Sequence, residues 1–287
     1  MVEEASDRGL TAQALNGQVQ KHLDYVVKQA QGAPLLAFID PFGLGLSFEA
    51  LTEQLFGSRR PAGATGRDAT EVLLNFNANA VRRIGGVLRS TKETKSKEAT
   101  LVAMDSACGG GWWRDEFMQA ADNREAVQRI AEGYAERVGA VVRAHSWMLP
   151  VRNRAHHQPA YHLVLFSRHK DGLWLFGEAI SLAQSRWRRE ILPPRTEETL
   201  FDSADMFEED EKQREREWIA TIKSNIERLL RTHGAFLIDR YHAEVMGDVL
   251  GEARQKHIKA AVKQLHRESK TGCNGVGDVP SLRITPP

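Results

Sequence analysis

The sequence predicts an α/β protein, a mixed sheet followed by a helical C-terminal module. Three observations carry that expectation. Leu35-Leu36-Ala37-Phe38-Ile39 is a short apolar run stopped by Asp40-Pro41-Phe42-Gly43, which reads as a strand of a parallel sheet buried on both faces. Glu71–Phe76 is a second such run, followed by a helical stretch, Ala78–Leu88, so the order is strand, helix, strand, helix, as right-handed parallel crossovers require. Past a charged stretch, residues 218–287 run helix, short strand, helix, tight turn, helix and terminal hairpin, the order of a winged helix-turn-helix.

The elements follow in turn. Residues 10–30 predict a helix with Leu15, Val19, Leu23, Val26 and Val27 on one stripe. Phe48–Phe56 reads as a short helix with Ser47 as its N-cap, and residues 57–68 are turn-rich and basic. Residues 89–111 read as an irregular insertion before Trp112-Trp113, and Arg124–Val138 as a helix. Val141–Val151 and Ala160–Ser167 are strands that would close the sheet as an antiparallel edge hairpin. Gly172–Ser185 is a further helix, so the α/β domain spans residues 1–192. Pro193-Pro194 opens a charged linker, residues 193–217, running into a charged helix. In the C-terminal module, residues 218–287, Gly234 ends the first helix, Tyr241–Leu250 is the second and Glu252–Ser269 the third.

Composition narrows the function classes. With 39 basic and 38 acidic side chains, net charge argues for no partner, and electrostatics must be read from local patches. Cys108 and Cys273 are too few and too far apart for a disulfide framework or a cysteine-based zinc site. There is no apolar run of about 18 residues, and MVEEASDRGL lacks the regions of a signal peptide. The expectation is a cytoplasmic protein with no membrane partner. His156-His157, His162 and His169 stand without carboxylates or thiols at ligand spacing, so no metal site is expected. No Gly-x-Ser-x-Gly and no lysine-bearing phosphate loop occurs.

The chemistry-bearing residues gather at strand ends. Asp40 closes its strand at the carboxyl end, where open α/β sheets place ligands. An Asp-Pro followed by an aromatic suits an amino-group target. The carboxylate accepts from the target N–H, Pro41 sets the turn, Phe42 stacks on a base and Gly43 permits a close turn. Asn75 and Asn77 at the end of the second strand, and Arg168 and His169 after YHLVLFS, are the substrate-contact candidates. On the third C-terminal helix, Arg254, Lys256, Lys259, Lys263 and Arg267 surround a stripe of Ile258, Val262 and Leu265. Such a helix suits a nucleic acid, its cations neutralising phosphates.

Four segments together, FIDPFG (38–43), EVLLNFNANAVRR (71–83), the Trp112-Trp113 region before a helix holding Tyr134, and YHLVLFSRHKDGLW (161–174), resemble the three-Cys-motif partner protein family, TcmP. The resemblance covers residues from about 33 to the C-terminus. It implies a Rossmann-like, methyltransferase-type domain, S-adenosylmethionine as cofactor, and a radical-SAM-like partner protein carrying three cysteines. Such domains have a strand and a glycine-rich turn upstream of the Asp-Pro strand. Here Gly9, Gly17 and Gly32 are isolated and none follows a strand. The expectation is therefore a partial Rossmann-like sheet: the second half of the domain. Its first half is lost through a short reading frame, supplied by another chain, or replaced by an N-terminal helix covering the free edge. Two functions follow. One is methyl transfer to a base amino group once the missing half is supplied. The other is a non-catalytic accessory or nucleic-acid-binding protein without cofactor.

Overall fold

The computed structural model describes residues 11–41, 45–59, 69–92, 95–154, 157–190 and 203–287. In chain order it contains α1 (Val19–Gln29), β1 (Leu35–Ile39), a π-helix (Ala50–Gly57), β2 (Thr70–Phe76), α2 (Ala78–Arg89), α3 (Lys95–Cys108), α4 (Trp112–Gln119) and α5 (Asn123–Val142). There follow β3 (His145–Val151), β4 (Tyr161–Ser167), α6 (Lys170–Glu190), α7 (Ser203–His233), β5 (Phe236–Leu237), α8 (His242–Met246), α9 (Gln255–Arg267) and β6 (Arg283–Ile284). The chain divides into two compact units, Met1–Leu173 and Trp174–Pro287. The division falls inside α6.

The first unit is a four-stranded mixed sheet in the order β1-β2-β4-β3. β1 pairs parallel with β2, placing Leu35 opposite Thr70 and Ile39 opposite Leu74. β4 is antiparallel to β2, and β3 is antiparallel to β4. One face of the sheet is closed: Ile39, Val72, Leu74, Val164 and Phe166 pack with Leu23 and Val27 of α1, Leu51, Leu55 and Phe56 of the π-helix, and Tyr134, Val138 and Val142 of α5. The other face differs from expectation. Leu36 and Phe38 are 67% and 64% exposed, so β1 is buried on one face only. Among the described residues β1 is an edge of this sheet, and its outward side chains have a neighbouring strand on one side alone.

A second core lies beneath α2 to α5, where Ile84, Leu101, Met104, Trp113, Phe117 and Ile130 pack together. Gly85 is required there, since a Cβ would fall 2.0 Å from the Phe117 ring. Residues 95–108 were expected to be irregular but form α3, with Leu101, Met104 and Cys108 buried at helical spacing. Its polar first half concealed that stripe. The N-terminal helix is shorter than expected: Gly17, at φ +138°, and extended Gln18 hold its start at Val19. Ser47 does cap the following helix, its Oγ accepting from Ala50 N at 3.1 Å.

Arg59 ties three pieces of this unit together and is 3% exposed. Its guanidinium donates to Thr70 Oγ1 (2.7 Å), Ala30 O (2.6 Å) and Ala33 O (2.5 Å). Each bond comes from a charged donor, which makes it stronger than a neutral one.

In the second unit, Trp218, Ile222, Ile226 and Leu229 of α7 form one core with Phe236, Ile238, Val245, Ile258, Val262, Leu265 and Ile284. Residues 203–217 belong to α7, so that part of the expected linker is helix. Gly234, at φ +67°, ends α7. The second predicted helix is split, because Gly247 at φ +53° stops α8 at Met246 and a 3-10 turn follows. The expected terminal hairpin is not formed among the described residues; β6 pairs antiparallel with β5 instead.

Candidate functional site at the carboxyl ends of β1 and β2

Parallel pairing brings Asp40, just after β1, beside Asn75, next to last in β2. Asn75 Nδ2 donates to Asp40 Oδ1 at 2.6 Å. A carboxylate only accepts, so the amide nitrogen must face Asp40 and the amide oxygen must point away. That oxygen, Asn75 Oδ1, is buried and has no hydrogen-bond partner among the described residues. It borders a cavity of about 40 Å³ lined by Pro41, Leu74, Phe76, Met104, Cys108 and Tyr134, room for a water or so at about 30 Å³ each. The Phe76 and Tyr134 rings stand 5.1 Å apart, centroid to centroid. Burial, then the Asp105 charge, pushes the Cys108 thiol up to about 12, and burial raises the Tyr134 phenol as well. Both stay protonated at neutral pH, so neither is a nucleophile.

The remaining sequence candidates separate. Phe42 and Gly43 lie outside the described residues. Asn77 lines the cavity, but its side chain is committed to capping α2, Oδ1 accepting from Ala80 N at 2.9 Å. Arg168 and His169 are not part of this site. β4 runs antiparallel to β2, placing Ser167 opposite Glu71 and His162 opposite Phe76, so residues following β4 lie at the opposite end of the sheet from Asp40. There Arg168 is a brace, donating to Val142 O (2.9 Å) and Arg59 O (3.0 Å) over the Phe56 ring. His169 is exposed, its Nδ1 3.5 Å from Asp171 Oδ2.

The same antiparallel pairing carries His162 to the ligand end. Its side chain is fully buried, and neither ring nitrogen has a partner among the described residues. Burial first, then the charges of Arg152 and Arg82, hold the imidazole down at about 4, so it is neutral. Arg82 of α2 donates through Nη2 to Asn79 Oδ1 (2.5 Å) and Pro159 O (2.7 Å), while its Nη1 is buried without a partner. In the sequence His162 stands out only as a candidate metal ligand. The signal that would have found it is the strand direction, which a single sequence does not print. Among the described residues no group of three or more His, Cys, Asp or Glu could hold a metal ion.

In the second unit the basic helix α9 lies against acidic α7. Lys256 pairs with Glu215, and Lys270, beyond the helix, pairs with Glu227 at 2.8 Å and Glu268 at 3.1 Å. His257 is buried 3.4 Å from Glu215 Oε1, its ring tilted against Trp218 at 5.2 Å between centroids. Arg254 sits at the N-cap and Arg267 Nε donates to Lys263 O at 3.3 Å. Gly275 packs against the helix, where a Cβ would lie 3.0 Å from Lys263 Cγ and 3.4 Å from Lys259 O. The cationic face is thus partly neutralised and partly covered.

S-adenosylmethionine does not fit what the described residues build. No glycine-rich turn follows a strand among them, and the cavity at the strand ends holds only a water or so. No helix among the described residues is long and apolar enough to cross a membrane. No protein-family model matches the chain, and searches of curated proteins and of solved structures find no match either.

Proposed function

We propose that this protein is a nucleic-acid-directed relative of S-adenosylmethionine-dependent methyltransferases, of the three-Cys-motif partner type, that holds a base amino group against Asp40 and Asn75. One observation carries this reading: a buried, unpartnered acceptor, Asn75 Oδ1, beside a carboxylate at the carboxyl ends of two parallel strands. An exocyclic amino group has two N–H bonds and needs two acceptors. Orphaned buried polar atoms are rare unless a water or a ligand completes them.

The strand order supports the methyltransferase-type assignment. Two parallel strands continued by an antiparallel hairpin, with its second strand inserted beside them, is the arrangement of the carboxyl half of such a sheet. β1 is left as an edge with exposed Leu36 and Phe38, where the preceding strands of a complete sheet would pair. In this reading Asp40 and Asn75 bind and orient the target beside the apolar walls at Phe76 and Tyr134. Methyl transfer belongs to the cofactor-bearing half, or to the three-cysteine radical-SAM-like partner, and no step of it is assigned to these residues. The second unit, read as winged-helix-like, adds phosphate contacts through Lys259, Lys263 and Arg267. A second reading, an accessory binding protein with no cofactor, is favoured by the small cavity.

Fluorescence anisotropy with single-stranded oligonucleotides tests the proposal. Adenine- and cytosine-rich strands, which carry exocyclic amines on the base edge, should bind about tenfold more tightly than thymine-rich strands. Asp40→Ala should erase that preference and keep the salt-dependent remainder. Equal affinity for adenine and thymine strands in the unmodified protein rejects the proposal. Deoxy and ribo versions of the same strands tell DNA from RNA.

A further inference from the structure

We propose that the groove over the carboxyl end of β2 is a phosphate-binding site formed by Arg82, Arg152 and His162. It needs neither Asp40 nor a nucleic acid, and so stands apart from the reading above. The groove has room for about 700 Å³ and is lined by these three residues together with Arg124 and Arg129. Three elements deliver the three donors. Arg82 comes from α2, Arg152 directly follows β3, and His162 is in β4, opposite Pro150 of β3 and Phe76 of β2.

What sets this groove apart from an ordinary basic surface is its buried polar atoms without partners among the described residues. The imidazole of His162 is completely buried, with both nitrogens unpartnered, and Arg82 Nη1 is buried and unpartnered beside it. Leaving such groups unmet is costly, and native structures seldom do so without a ligand or ordered water. Arg152 is exposed, and its charge acts on His162.

The carboxylates that line the groove are already engaged. Asp122 caps α5, accepting from Arg124 N (2.7 Å) and Glu125 N (2.8 Å). Glu125 accepts from Arg129 (2.6 Å) and from Ala121 N (2.7 Å), and Glu132 from Gln128 (2.6 Å). These carboxylates are thus partly engaged within and around α5, while the buried donors left unmet among the described residues are Arg82 Nη1 and one nitrogen of the neutral His162 ring. A tetrahedral phosphate offers several acceptor oxygens and pairs well with the fixed fork of arginine. The neutral imidazole contributes one N–H donor, and the charges of Arg82 and Arg152 that act on it favour an anion.

The experiment is a titration of the full chain with inorganic phosphate. It is read by calorimetry and by the imidazole ¹⁵N signals of His162, assigned through a His162→Gln variant. Saturable binding at millimolar phosphate with a shift of the His162 signals is expected, and Arg152→Gln, a surface change, should weaken it about tenfold. Absence of a saturable shift, or an unchanged affinity in Arg152→Gln, overturns the proposal. Asp40→Ala should bind phosphate normally; loss there would overturn the assignment to these three residues. Competition separates the sources of the phosphate. Displacement by ribose 5-phosphate alone points to a small phosphomonoester, and displacement by an oligonucleotide lacking terminal phosphates points to a backbone diester.

Discussion

Acid should loosen the first unit through one buried side chain, His162. Its imidazole is held down from the ordinary 6.5 to about 4 by burial and by Arg152 and Arg82. The folded protein therefore keeps this histidine neutral where the unfolded chain would protonate it. Between those two pKa values the unfolded state binds more protons, so stability rises with pH across the window. The contribution is present above about 6.5 and is lost as the pH falls towards about 4. Each pH step of one across that window removes about 1.36 kcal/mol, so the full loss is about 3 kcal/mol, of which about 2 has gone by about pH 5. The assay is urea unfolding monitored by circular dichroism near pH 7 and near pH 5, for the unmodified protein and His162→Gln. His242, also held at about 4 by burial, and His257, held low by burial, lose stability with acid too, so the comparison with the variant isolates His162. The variant should lose about 2 kcal/mol less between the two pH values than the parent does. An identical loss in both would refute the reasoning. Phosphate added near pH 5 should reduce the loss in the parent alone.

Two other substitutions probe the scaffold and the second unit. Arg59→Met removes three charged hydrogen bonds and leaves Ala30 O and Ala33 O without that donor, so it should destabilise the protein by about 3–5 kcal/mol in thermal or urea melts. In α9, Lys259→Glu with Lys263→Glu should weaken oligonucleotide binding and lower its salt slope by about two, one per lost phosphate contact. Lys256→Glu should do so less, because Glu215 already neutralises Lys256.

Several elements were legible because their signal is local. The β1 and β2 runs, the capped helix after Ser47, the long helix α5 and the β3–β4 hairpin each show their own periodicity or stop residues. Misreadings came where local signal is weak or where the decisive contact is distant. α3 carries its buried stripe only in Leu101, Met104 and Cys108, behind a polar first half. Both faces of β1 look equally apolar in sequence. Leu36 and Phe38 are nevertheless exposed, because β1 stands at the edge of the described sheet.

The site divides the same way. Asp40 and Asn75 could be read as strand-end residues from sequence, since apolar runs and their stops are written in neighbouring positions. Their hydrogen bond was decided by parallel register between segments 35 residues apart. Strand direction did more: antiparallel β4 sent Arg168 and His169 to the far end of the sheet and brought His162 to the near one. Chain neighbours determine which segments become strands and helices. Direction and register depend on burying distant faces together, and those alone decided which polar side chains meet.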